Sequence, residues 1–377
     1  MISAVDYDVH GIVGIRVMGG TEQDLAMVAR ELGALQKPLH AEPDIVVRFL
    51  PEIRTAGARY IDWRQTAFTE DGYFVLQWEH QKTKARIAFD RVGCKPFEIL
   101  CQSGSRAVPL LMDFIQLLAL EKGYVALHAA AFVYDGIAVL APGWAHGGKT
   151  EALLAFAEHG AEYIADEWVL LAADGQAMYG IPTPISLSCA DCEHSAQLRS
   201  ALNQHSRRTL RQLQWLHGAQ VRFSRGPFGS SGAARILRRA DDAIRRRVEI
   251  KVPPPAVFGR LGTLTATPRK LFVMMGGLGE AITVDPVDGT AVASSLAALM
   301  QHEQATLMRH YLAFRYAFPG RYCALLESSS ARRAEILPRA LAGLECYRVT
   351  HPRLVEFGDL YETMRPALLS SRCAAVR

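Results

Sequence analysis

Apolar and polar positions alternate in short runs through the first 108 residues: Ile12 to Val17, Asp44 to Phe49, Tyr73 to Trp78, Ala85 to Phe89 and Phe97 to Cys101. A period of two over such lengths predicts half-buried strands. Glu22 to Leu35 instead has helical spacing. Thr21, three residues before Asp24, resembles a capping box with Asp replacing the usual Glu, and Gly33 and Pro38 help to end the helix. Residues 1–108 therefore read as an α+β accessory domain.

At Pro109 the pattern changes. Leu110, Phe114, Leu117 and Leu118 fall on one helical face, and Pro109 suits a first turn, so residues 109–123 read as a linking helix. From Tyr124 the chain becomes strand-rich: Val125 to Tyr134, a turn at Asp135-Gly136, then Ile137 to Ala141. Asp-Gly between apolar runs signals a hairpin. Thr150 to Glu158 reads as a short helix, Tyr163 to Ala165 as a strand, and Asp174-Gly175 as a second hairpin turn. Leu271 to Met275 is expected to be a buried strand and Ser294 to Phe318 a helix. The whole is an α/β chain with a second domain over 124–377.

Composition adds bounds. Half the residues are hydrophobic, as in a folded globular protein. The net charge of +4 is concentrated, because Arg199 to Lys251 holds an excess of arginine. Residues 195–251 read as a basic, lid-like insertion interrupted by the glycine-rich stretch 226–232. No helix-turn-helix, zinc-finger or RNP-like signature accompanies the charge, so nucleic acid is not the expected partner. Asp113, His128, Asp135 and several glycines interrupt the most apolar stretches, so no membrane span is expected. Met1 to Asp6 lacks the pattern of a signal peptide, and seven scattered cysteines suit a reducing cytoplasm. Oligomeric state stays open, a homo-oligomer included.

The chemistry concentrates at Gly143-Trp144-Ala145-His146-Gly147-Gly148-Lys149-Thr150, an ungapped G-x-x-x-x-G-K-[ST] between an apolar strand and an apolar helical segment. In that context backbone N–H groups turn inward around phosphate oxygens and the following helix aims its N-terminus at them. Lys149 would reach the terminal phosphates of ATP, and Thr150 would offer its hydroxyl to Mg²⁺. Sixteen residues on, Tyr163 to Ala165 ends in Asp166-Glu167. Either carboxylate could hold the metal or take a proton from an acceptor hydroxyl. A solvated acidic strand end is the bland alternative. His128, inside Val125 to Ala131, reads by itself more readily as a hydrogen-bonded core histidine than as a functional one.

Taken together, Leu127-His128-Ala129-Ala130, the strand hairpin, the phosphate loop followed by Glu151, Tyr163 to Glu167, and the proline-containing segment Pro182 to Leu187 resemble the HPr kinase/phosphorylase-like serine kinases. The likeness covers about residues 124–190. It implies the nucleotide-binding fold of the phosphoenolpyruvate-carboxykinase type, a mixed sheet with the loop between strand and helix. It also implies catalytic or metal-binding roles for His128, Lys149, Thr150, Asp166 and Glu167, with Asp166 and His128 as the proton-accepting or metal-coordinating pair. Glu167 stands where those kinases usually have a second aspartate.

The function expected is ATP- and Mg²⁺-dependent transfer of the γ-phosphoryl to a hydroxyl, on a serine or threonine of a peptide or protein. A small-molecule or sugar kinase and a non-catalytic ATP-binding switch are the alternatives. Cys189, Cys192 and His194 have the start of a zinc spacing, but no second pair follows. Among the arginines of 222–247 no single phosphoryl-stabilising residue can be chosen, and Trp215, Leu216, Phe223 and Phe228 read as packing for the lid.

Overall fold

The computed structural model describes residues 4–62, 65–78, 81–187, 250–352 and 355–370, with single positions at 198, 200, 202 and 208. The Cys189–Cys192–His194 group and nearly all of the expected lid lie outside the described residues.

Val5–Val9 (β1) and Val13–Gly19 (β2) pair antiparallel, then α1 (Glu22–Leu32) crosses to β3 (Ile45–Leu50), which lies parallel to β2. The capping box at Thr21 and Asp24 is formed on both sides. Four antiparallel strands, β4 (Arg59–Asp62), β5 (Thr66–Thr69), β6 (Gly72–Trp78) and β7 (Gln81–Ile87), lead to β8 (Phe97–Gln102). The eight form one mixed sheet in the order β1-β2-β3-β8-β7-β6-β5-β4.

Next comes α2 (Leu111–Glu121). Leu110 takes a left-handed backbone with φ 62°, so Pro109 lies before the helix rather than in its first turn. Leu111, Phe114, Ile115, Leu117 and Leu118 are all buried in a cluster that also contains Val47 and Ile99 of the first sheet and Ala126 and Phe132 of the second. One continuous core thus runs between the two sheets. Asp44 bonded to Lys122, Tyr73 bonded to His310 and Asp90 bonded to Arg321 add polar ties along the chain.

The second sheet is built on β9 (Tyr124–Tyr134) and β10 (Ile137–Pro142), joined through Asp135 and Gly136, both with positive φ, as a two-residue hairpin of this type requires. After α3 (Lys149–Ala157) come β11 (Glu162–Ala165), β12 (Trp168–Ala172), β13 (Met178–Ile181) and β14 (Ile185–Leu187). The last pairs with β15 (Ile250–Val252) as a separate ribbon. Following α4 (Pro254–Phe258) and β16 (Thr265–Ala266), β17 (Pro268–Gly276) lies parallel to β10, and β18 (Thr283–Pro286) closes an edge.

Helices α5 (Gly289–Glu303) and α6 (Ala305–Ala317) divide what the sequence predicts as one helix. The break is at Gln304, whose φ −84° and ψ 2° interrupt the helical repeat. Then α7 (Ala324–Leu341), β19 (Glu345–His351) and α8 (Phe357–Leu369) complete the described elements. The order is β16-β13-β12-β9-β10-β17-β19-β18, with β11 beside β9. This is an α/β protein with mixed sheets. Among the described residues no helix is long and apolar enough to cross a membrane.

Candidate functional site

The site is organised by β9. Its last six residues pair with β10, bringing Ala129 opposite Pro142, so that His128 lies level with the start of the glycine-rich loop. On its other edge β9 pairs first with β12 and then with β11, and Asp166-Glu167 falls between those two partners. His128 is in register with Trp168 and stacks on its ring, centroids 5.1 Å apart. Strand register thus gathers residues that are 39 positions apart in the chain.

The loop follows β10 and opens α3, as expected. Gly143 bridges to Met274 of β17, and a Cβ there would come within 2.7 Å of the Met274 carbonyl oxygen, so only glycine permits the approach. Gly148 has φ 97° and packs against the ring of His351, which lies at the end of β19. His351 Nε2 is 2.8 Å from the Gly147 carbonyl oxygen, and its Nδ1 is 2.8 Å from that of Pro352. Gly148→Ala would meet both a strained backbone and this ring. It is expected to lower the melting temperature by several degrees, roughly what 1–2 kcal/mol costs a domain, and to weaken nucleotide binding, as thermal denaturation with and without Mg-ATP would report.

Lys149 is buried at 6% exposure, its Nζ donating to the carbonyls of Gly143 at 3.2 Å and Trp144 at 3.0 Å. Burial pushes its pKa down, while Glu167, Asp166 and Glu303 act in the opposite sense. The Thr150 hydroxyl donates to Asp166 Oδ2 at 3.2 Å. Asp166 Oδ1 is buried without a hydrogen-bond partner among the described residues. Burial, and then the neighbouring Glu167, raise the Asp166 pKa well above the usual carboxylate value.

Asp166 and His128 are not paired with one another by a hydrogen bond. Instead His128 Nε2 is 2.9 Å from Glu167 Oε2, and its Nδ1 is 2.7 Å from Glu303 Oε1 at the C-terminal end of α5. A ring with a carboxylate at each nitrogen is a donor on both sides, an imidazolium. Burial opposes that charge, but the two carboxylates outweigh it and the His128 pKa is raised. Burial likewise resists ionisation of Glu167, and contact with His128 overcomes it, so its pKa is lowered. The Glu303 pKa is lowered too, first by the His128 hydrogen bond.

The expected metal set of Thr150, Asp166 and Glu167 therefore divides. Asp166 and Thr150 form one pair, whereas Glu167 turns to His128. A carboxylate with one orphaned oxygen, beside a hydroxyl and next to a phosphate-type loop, is the donor set Mg²⁺ uses when phosphates and water complete its shell. Those two residues fit the ion. Among the described residues no group of three or more His, Cys, Asp or Glu is arranged to hold a metal by itself.

Trp144 and His146 stand on the exposed side of the loop, Trp144 stacking on His302 with ring centroids 4.4 Å apart. Beside them, a cavity of about 450 Å³ lies between the loop, the end of β17 and one face of α5, with Met274, Val292 and Leu296 in its wall and Arg348 among its polar residues. A second cavity, of about 510 Å³, reaches Glu303 and Trp168 from the side of the first sheet.

Glu303 and His351 are absent from the sequence reading. Glu303 leaves a trace only where the helix is seen to end: an acid as its last residue opposes the helix dipole and needs a cationic partner. His351 leaves none. No family model and no curated protein matches the chain.

Proposed function

We propose that this protein binds ATP with Mg²⁺ and transfers the γ-phosphoryl group to a hydroxyl acceptor, as the resemblance to the HPr kinase-like serine kinases implies. The observation that carries this reading is the convergence, around one loop, of Lys149, the Asp166–Thr150 pair and the Glu167 carboxylate backed by His128 and Glu303. Phosphoryl transfer depends chiefly on positioned positive charge and a positioned nucleophile, and this group has parts for both.

Residues 143–148 and the N-terminus of α3 bind the phosphates, and Lys149 leaves its carbonyl partners to meet their charge. Asp166 and Thr150 would hold Mg²⁺, which would supply positive charge to the phosphates. Glu167, kept ionised by the imidazolium, accepts the proton of the acceptor hydroxyl. The acceptor oxygen then bonds to the γ-phosphorus in line with the departing bridging oxygen, and ADP leaves. The apolar cavity beside Trp144 suits the nucleoside.

A serine or threonine hydroxyl of a peptide or protein is the acceptor in the first reading. A small-molecule acceptor is the second, favoured by the small-ligand-sized cavity that meets Glu303 and Trp168. Thr150→Val keeps the shape of the side chain and removes only the oxygen. It is expected to raise the Mg²⁺ concentration for half-maximal transfer by roughly tenfold or more, and an unchanged Mg²⁺ titration would remove Thr150 from the metal shell.

A further inference from the structure

The cavity of about 510 Å³ that meets Glu303 and Trp168 is walled by both halves of the chain: Gln77 and Trp78 from the first sheet, Asp113 and Gln116 from α2, and Arg309 from α6. One end is catalytic, since Trp168 stacks on His128 and Glu303 is bonded to it. The other end lies by His310, which is 5.9 Å from Trp78 between ring centroids and is held by the Tyr73 hydroxyl at 3.0 Å.

Asp113 and Arg309, an acid and a base, both line this one cavity, and neither forms an ion pair with a described residue. Asp113 belongs to the Glu303 end, whose charge it feels, and Arg309 to the His310 end, where its charge is felt by the ring. Asp113 is half-buried, so its charge is costly unless a cation completes it, whereas Arg309 is exposed and open to an anion. Two groups of opposite sign, each without an ion pair among the described residues, match a ligand with a cation at one end and an anion at the other.

We infer that this cavity is the acceptor site and that it takes a free hydroxy-α-amino acid. The word acceptor rests on the kinase reading; the zwitterion does not. Asp113 receives the ammonium group, Arg309 the carboxylate, and the hydroxyl points to Glu167 beside His128. The volume is that of a small-ligand site, and the amides of Gln77 and Gln116 supply further hydrogen bonds. Burial, and then Glu303, push Asp113 up to about 7; a bound ammonium would draw it back. The first eight strands thereby gain a role, as one wall of the acceptor site.

The test uses the full chain and its tryptophan fluorescence, two of the rings being in the cavity wall. L-serine, L-threonine and L-homoserine are titrated in turn, then N-acetyl-L-serinamide, which has the hydroxyl of a peptide residue without the two charges. At least one free amino acid is expected to give a saturable change, with the capped amide about tenfold weaker or worse. Asp113→Asn and Arg309→Gln are each expected to raise the half-saturation point by about tenfold or more while leaving binding of a fluorescent ATP analogue unchanged. That second titration shows that the variants are folded. No saturable change with any of the three amino acids overturns the inference, as does equal binding of the capped amide or wild-type affinity in both variants. Failure of the unmodified chain to bind the ATP analogue, with amino-acid binding intact, would instead remove the kinase reading and leave the zwitterion site supported.

Discussion

Lys149→Met is expected to reduce phosphoryl transfer by roughly 10²–10³-fold, the usual cost of removing one positioned group that stabilises charge in the transition state. The side chain opens α3 and is buried, so its charge is held where water does not screen it. Among the described residues its hydrogen-bond partners are two loop carbonyls, of Gly143 and Trp144. A buried ammonium held by neutral acceptors, with four carboxyl groups acting on it, is poised for a stronger anionic partner. Methionine keeps the unbranched apolar stem and omits the charge. Steady-state transfer should therefore collapse, ATP affinity should fall, and thermal unfolding should change little, because the carbonyls lose one donor while the chain no longer buries an ammonium. Transfer within tenfold of the unmodified protein would show that the loop does not act through this lysine.

Glu167→Gln is expected to lower transfer by roughly 10²–10⁴-fold, the range over which a positioned proton acceptor accelerates reactions. The amide fills the same space and can still meet His128, but it cannot take a proton. A pH signature separates this role from a structural one. His128 is raised above its ordinary value of 6.5 chiefly through hydrogen bonds to Glu167 and Glu303 that overcome burial. Its folded-state contribution is fully present below 6.5 and is lost as pH rises through the raised value, when the ring can no longer donate to both carboxylates. Transfer should fall on that alkaline side. In Glu167→Gln one of the two carboxylates is gone, so both the ring-proton titration of His128 and the alkaline fall of the residual activity should begin at lower pH. An unshifted His128 titration would mean that the hydrogen bond contributes nothing.

Local signals served the sequence reading well where the structure is local. The turn at Asp135-Gly136, the capping box at Thr21 and the loop between β10 and α3 are each specified by a few adjacent residues, and all three are formed. The register of β9 is not local. That His128 faces Glu167 rather than Asp166 depends on where β11 ends and β12 begins along β9, which periodicity does not fix. Glu303 and His351 reach the site from distant elements, α5 and β19. The expected single helix over Ser294 to Phe318 hides the terminus at which Glu303 stands, and that terminus is what makes the acid informative. The linking role expected of residues 109–123 rests on one apolar face, whereas the helix is buried between two sheets on several. A single face was visible because Asp113 and Gln116 interrupt the rest, and these two residues line the cavity next to the catalytic cluster.

Transfer of the γ-phosphoryl group is measured most directly by incubating the purified chain with Mg²⁺ and γ-labelled ATP, supplying in turn free hydroxy-amino acids, serine-containing peptides and a total metabolite fraction, and following both ADP and label. Label is expected in an acid-stable ester product in step with ADP formation, and is expected to be lost in Lys149→Met. Tight ATP binding with no labelled product in any fraction would contradict phosphoryl transfer and leave a nucleotide-binding switch.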